Sequence, residues 1–183
     1  MRRIAIVGAG QAGLHLGIGL LDCGFEVTMQ TDRTIEEVRS GRVLSTQGMS
    51  HPSLELERAA GLDLWDEAAP RQVYVEYNRA SPKGERLINW QVPRARHGNS
   101  VCQRLKIPRW TEIFEENGGQ LIIGSADIAA IESLVDANEL VLIAAGKGEI
   151  SGLFERDDAR SPFDEPPRVL ALTYFQCSGA QAP

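Results

Sequence analysis

Cysteine, histidine and aromatic side chains are scarce in this chain. Its 183 residues include three cysteines, Cys23, Cys102 and Cys177, which lie far apart and form no CxxC. That usage argues against a disulfide framework or a zinc site and makes a reducing, cytoplasmic compartment the expectation. His15, His51 and His97 are equally scattered, so no HxxxH or Cys/His cluster marks a metal. No apolar run reaches the ~18 residues that a membrane span requires. Cations are in deficit: 19 Lys and Arg against 25 Asp and Glu leave a net charge of −6, which argues against a nucleic-acid surface. There is no GxSxG and no obvious pair of catalytic acids. What remains is 43% apolar residues in a globular mixture, enough for one ordinary domain or slightly more.

The apolar residues are ordered from the start. Ile4 to Val7 is a short run closed by glycine, the pattern of a parallel strand buried on both faces. From Gln11 to Cys23 apolar residues recur at helical spacing (Leu14, Ile18, Leu21), and Gly24 stands where a helix-ending glycine belongs. Glu26 to Gln30 reads as a second strand, which completes a right-handed β-α-β unit. Further on, Pro52 to Ala60 is expected as a short helix, and Val73 to Tyr77 and Leu87 to Val92 as strands. Pro108 to Glu116 is expected as a helix ended by Gly118-Gly119, followed by strands over Leu121–Ile123 and Leu140–Ala144. Glu155 to Pro167 reads as a polar linker, and Arg168 to Phe175 as a last strand.

Gly8-Ala9-Gly10-Gln11-Ala12-Gly13 is a GxGxxG between that first strand and first helix. Alone the motif is weak; strand, helix and a second strand ending near Thr31-Asp32 supply the context it requires. Gly8 permits the tight turn, Gly10 lets a pyrophosphate approach the backbone, and Gly13 lets helix and strand pack closely. The N–H groups and positive dipole end of the helix then face the phosphates. The reading is dinucleotide binding rather than a ligand-free glycine turn. Asp32 is the candidate for the ribose or adenine side; the alternative is a solvated turn aspartate that caps the stretch from Thr34. Arg33 fits either a 2′-phosphate or an FAD-binding unit.

An ordered series of residues now resembles one family. It comprises Ile6-Val7-Gly8-Ala9-Gly10-x-Ala12-Gly13-Leu14-His15-Leu16-Gly17 and Val27-Thr28-x-x-Thr31-Asp32-Arg33. Ser40-Gly41-Arg42 leading to Leu44-x-Thr46 comes next, then Arg104-Leu105-x-x-Pro108. Leu140-Val141 to Gly146-Lys147 and Ser161-Pro162-Phe163 complete it. The series resembles the FAD-dependent oxygenase subunit of two-component styrene and indole monooxygenases.

The resemblance implies a Rossmann-like α/β FAD-binding domain with a central parallel sheet, over residues 1–155, with an irregular β-rich insertion around 71–95. Residues 156–183 would then be a linker and the first strand of an incomplete substrate domain. FAD would lie along Gly8, Gly10, Gln11, Ala12 and Gly13. Thr31, Asp32 and Arg33 would stand near the adenosine, Arg42 near the pyrophosphate or ribityl chain, and Arg104 would contact FAD from a helix. Ala145-Gly146 would pass close to the cofactor, and Ser45 and Thr46 would lie near the substrate. A separate NADH-dependent flavin reductase would supply reduced FAD. Its hydroperoxide would pass one oxygen atom to a small hydrophobic alkene or aromatic substrate. Three departures stand out: Gln11 where relatives often have a smaller residue, Ser45 where the styrene enzymes have an asparagine, and Cys102-Gln103 before Arg104. The family's fold continues beyond this length, so the chain is expected to be its N-terminal portion, incomplete for turnover. Two other readings stay open: a stand-alone nucleotide-binding module, as a dimer across the edge strand at Arg168, and an NAD(P)-dependent oxidoreductase.

Overall fold

A computed structural model describes residues 2–43, 46–146 and 149–165. The chain runs β1 (Arg3–Val7), α1 (Gln11–Asp22), β2 (Glu26–Thr31), α2 (Ile35–Ser40), β3 (Thr46–Met49) and α3 (His51–Ala59). It continues through β4 (Gln72–Ala80), β5 (Arg86–Cys102), α4 (Gln103–Glu116), β6 (Gln120–Ile123), α5 (Ile128–Ala137) and β7 (Leu140–Ile143) to a 3-10 turn at Glu149–Leu153. Four strands form a parallel sheet in the order β6-β2-β1-β7, and β3, β5 and β4 form an antiparallel one.

Pleating of β1 sends alternate side chains to opposite faces. Ile4 and Ile6 enter a core with Leu14 and Ile18 of α1, Val27 and Met29 of β2, and Ile107, Trp110 and Phe114 of α4. Ala5 and Val7 point the other way, where they meet Leu134 of α5 with Val141 and Ile143 of β7 packed around them. The pairings Ile6↔Met29 and Val7↔Ile143 hold β1 between β2 and β7. A strand covered on both faces has no use for polar alternation, which is why Ile4–Val7 is continuously apolar.

Several elements differ from the sequence reading. Proline suits a first helical turn, so Pro108 reads as a start. Instead α4 begins five residues earlier, directly after β5, and Pro108 is a buried interior residue. Helices α2 and α5 were not foreseen, although both carry start signals. Thr34 and Glu37 form a capping box in which Glu37 N–H donates to Thr34 Oγ1 at 3.2 Å and Thr34 N–H to Glu37 Oε2 at 2.7 Å. Thr34, not Asp32, is therefore the cap of that stretch. Asp127 caps α5 by accepting from the Ala130 N–H at 2.8 Å. Strands β4 and β5 run longer than expected and form an exposed hairpin. Val75↔Val92 and Tyr77↔Trp90 make its apolar face, whereas Glu76↔Gln91 and Asn78↔Asn89 make its polar one. Tyr77 and Trp90 stack with centroids 5.5 Å apart yet stay nearly half exposed. The strand expected over Arg168–Phe175 lies outside the described residues.

Trp110 and Phe114 are both fully buried, and the Trp110 indole N–H donates to the Leu62 carbonyl at 3.2 Å. Phe114→Ala should lower the unfolding free energy by about 3–5 kcal/mol in chemical denaturation, because the site is walled by helix and sheet and collapses poorly. Trp90→Ala, on the open hairpin, should cost less than half as much in the same titration.

Candidate functional site

The carboxyl ends of β1, β2 and β7 open into one cleft. From β1 the chain passes to β2 on one side, and its other neighbour β7 returns much later, so the crevice lies at a topological switch point. A cavity of about 540 Å³ is lined by Gly8, Ala9 and Gly10, by the end of β2 from Gln30 through Arg33, and by Ala144, Ala145 and Gly146 beyond β7. A second, of about 440 Å³, is lined by Gly41, Arg42, Cys102, Gln103 and Arg104. Ala9, Gly10, Asp32, Arg33, Val38 and Ile107 border both, so the two are compartments of one cleft.

The three motif glycines have different physical duties. Gly8 has φ +114°, and a Cβ there would lie 2.9 Å from the Ala144 carbonyl carbon. At Gly13 a Cβ would collide with the Gly8 carbonyl oxygen. Those two are required by the protein's own packing. Gly10 is not: a Cβ there would meet nothing within 4 Å. It faces open cleft, and as the N-cap of α1 it offers no side-chain partner to the first-turn N–H groups. No acidic residue stands in that turn, so the positive end of the helix is left to a ligand.

The β2 end is held by backbone and one amide. The Gly8 N–H donates to the Gln30 carbonyl at 2.8 Å, and the buried Gln30 side chain donates to the Ser125 carbonyl at 3.0 Å. Asp32 stands at the lip, exposed, 3.5 Å from the Arg33 guanidinium. Such a pair adds little stability, so both groups remain available to a ligand. In the second compartment Arg104 Nη1 donates to the Gly41 carbonyl at 3.4 Å, which ties α4 to the segment carrying Arg42.

The cleft thus gathers Gly8, Gly10, Thr31, Asp32, Arg33, Arg42, Arg104, Ala145 and Gly146. It does not gather the last three motif residues. Ala12 is exposed on α1, Gly13 is buried behind Gly8, and the Gln11 amide turns away to Glu57 Oε1 at 2.9 Å. Thr46 begins β3 opposite Cys102, and Ser45 lies outside the described residues. Sequence reasoning missed Gln30, Thr34, Ile107, Pro108, Thr111 and the Gly124–Ala126 turn, all of which line the cleft. It also missed the buried pair Glu57–Lys106 behind it. A polar residue closing a strand and a charge inside a mixed helix carry no periodic signal; only the Thr34-x-x-Glu37 spacing was readable. Among the described residues no helix is long and apolar enough to cross a membrane.

The chain is 30% identical over 178 residues to styrene monooxygenase StyA of a Pseudomonas species, covering 96% of this chain and 41% of that protein. StyA of Pseudomonas fluorescens is 29% identical over 175 residues with the same coverages. The family described as "Styrene monooxygenase A putative substrate binding domain" matches residues 146–182. Over this span the chain is similar to styrene monooxygenases. It spans about two fifths of the length of the curated relatives it matches.

Solved structures agree on the fold. The flavin-dependent brominase Bmp2 superposes with a TM-score of 0.52 at 18% identity, over 66% of this chain and 28% of that one. p-Nitrophenol 4-monooxygenase PnpA of Pseudomonas putida DLL-E4 gives 0.51 at 14%, over 68% and 33%. A 2-methyl-3-hydroxypyridine-5-carboxylic acid oxygenase gives 0.53 at 14%, over 70% and 33%. The fold of this chain is therefore the Rossmann-like α/β fold expected from its sequence.

Two measurements check the site's construction. Gly10→Ala should leave the thermal midpoint unchanged within about 2 °C, while Gly13→Ala should lower it by several times as much. The second concerns the lip of the cleft. Hydrogen bonds from the Thr34 backbone and then its side chain hold the Glu37 carboxyl below its ordinary value. A depressed carboxyl stabilises fully above its unfolded value and ceases to as pH falls through the folded one. Glu37→Gln should therefore lower stability slightly at neutral pH and flatten the acid limb of a stability–pH profile, the two profiles converging below the folded value.

Proposed function

We propose that this chain is the FAD-binding portion of a flavin-dependent, two-component oxygenase. The observation that carries the reading is Gly10: it is a glycine for which the protein's own packing has no need, at the uncapped end of a helix, in a cleft at the switch point of a Rossmann-like sheet. The residues present fit a dinucleotide. The pyrophosphate would lie over Gly8–Gly10 and the first turn of α1, met by backbone N–H groups and the helix dipole. Thr31, Asp32 and Arg33 would take the adenosine side. Arg42 and Arg104, in the second compartment, would balance the phosphate charge and orient the ribityl chain, with Ala145 and Gly146 flanking the cofactor. Gln11, Ala12 and Gly13 would act through the backbone and shape of the turn.

Bound FAD, once reduced, supplies the activation of dioxygen that an oxygenase needs. The chain's own contribution is to bind and orient the cofactor and to exclude water from one side of it. The similarity to StyA supports a small hydrophobic alkene or aromatic as substrate, approached from the side of Ser45 and Thr46, and a separate flavin reductase as partner. A cytoplasmic setting, suggested by the cysteine usage, suits such a partnership.

Titration of the purified protein with FAD and, separately, with NADH tests the reading. FAD should bind with a perturbed flavin absorption band, and NADH should not compete for it. Gly10→Val should weaken FAD binding by at least about tenfold without loss of fold, since the new methyls occupy the phosphate's space. Binding of NADH with no uptake of flavin would overturn the proposal.

A further inference from the structure

Three helices meet at one carboxylate oxygen behind the cleft. Glu57 Oε1, on α3, accepts from Gln11 Nε2 of α1 at 2.9 Å and from Lys106 Nζ of α4 at 2.7 Å. Glu57 Oε2 accepts again from Lys106 at 2.9 Å. The lysine and glutamate side chains are only 3% and 5% exposed, and the ammonium lies 5.1 Å from the Trp110 ring centroid. The second Gln11 amide proton has a partner too, Met49 Sδ at 3.3 Å.

Stability does not explain this arrangement, because a buried ion pair is commonly matched or bettered by apolar residues of the same volume. A fully satisfied polar network does something else: it fixes one geometry. Its position says which geometry. Gln11 is the first residue of α1, next to Gly10, and Lys106 immediately precedes Ile107. Gly10 and Ile107 stand on the two walls of the cleft and border both compartments. The network therefore joins the two walls from behind.

We propose that Gln11, Glu57 and Lys106 form a strut that sets the cleft width between the phosphate-facing turn and α4, which makes Gln11 and Glu57 positioning residues for the nucleotide. This accounts for a long side chain at a motif position where a small one would suffice. The strut itself is a property of the unliganded fold; its benefit to the ligand rests on the FAD reading above.

The test pairs a ligand-free measurement with a binding one, on Gln11→Ala and on the charge-free Glu57→Met/Lys106→Met pair, whose fold is verified by circular dichroism. In Gln11→Ala, amide hydrogen exchange at Leu14 and His15 should rise about tenfold while β1 and β2 stay unchanged, as expected for losing a hydrogen bond to a charged group. FAD binding should weaken by about the same factor, with the thermal midpoint moving less than about 2 °C. Added to the charge-free pair, Gln11→Ala should change neither quantity further. Unchanged exchange in Gln11→Ala, a full effect in the charge-free background, or raised exchange with undiminished FAD affinity would each overturn the positioning role. If exchange responds as expected and no variant, nor the parent, takes up FAD, the strut stands and the FAD reading falls.

Discussion

Backbone meets backbone at the end of β1, and the site depends on that closeness. Gly8 sits against the Ala144–Ala145 peptide, and Gly13 sits against the Gly8 carbonyl. Both contacts are too short to admit a Cβ. They draw the end of β1, the loop after β7 and the first turn of α1 to within one layer of atoms. The helix dipole, the end of β2 and the residues after β7 therefore all face one volume. Relax either contact and α1 moves off the sheet, carrying its N-terminus away from the cleft.

The opposite wall is α4, which serves two environments at once. Trp110 and Phe114 enter the core against α1 and the sheet, whereas Ile107, Pro108 and Thr111 border the cleft. Lys106 lies between these duties, buried with Glu57 behind the wall. Because β5 runs directly into α4, the antiparallel sheet and the cleft wall are mechanically continuous. That continuity links the outward hairpin, with its apolar Val75, Tyr77, Trp90 and Val92 face, to the site without any intervening loop.

Some elements were legible because a local rule sufficed. The β1-α1-β2 unit agrees with its reading to within one residue at each boundary, since burial on both faces, helical periodicity and Gly24 with φ +81° are all local signals. The start of α4 was misread because proline's local preference for a first turn was overridden by the run of β5 into the helix. Helices α2 and α5 were overlooked despite Thr34-x-x-Glu37 and Asp127, because short helices have little periodicity to weigh against a polar surrounding. The hairpin's length was underestimated because cross-strand pairing, not propensity, extends it to Ala80 and back from Arg86.

The amino-acid sequence by itself determined the class of the fold and the place of the glycine-rich turn, because strand burial, helix periodicity and glycine's missing Cβ act over a few neighbouring residues. Tertiary structure alone decided which side chains share the cleft. Gln30, Thr34, Ile107 and Thr111 arrive there from separate elements, and Gln11, from within the motif itself, is drawn the other way. The reason is that Glu57, 46 positions from it and buried with Lys106, 95 positions from it, offers its amide a charged acceptor. Only the folded chain brings the three together.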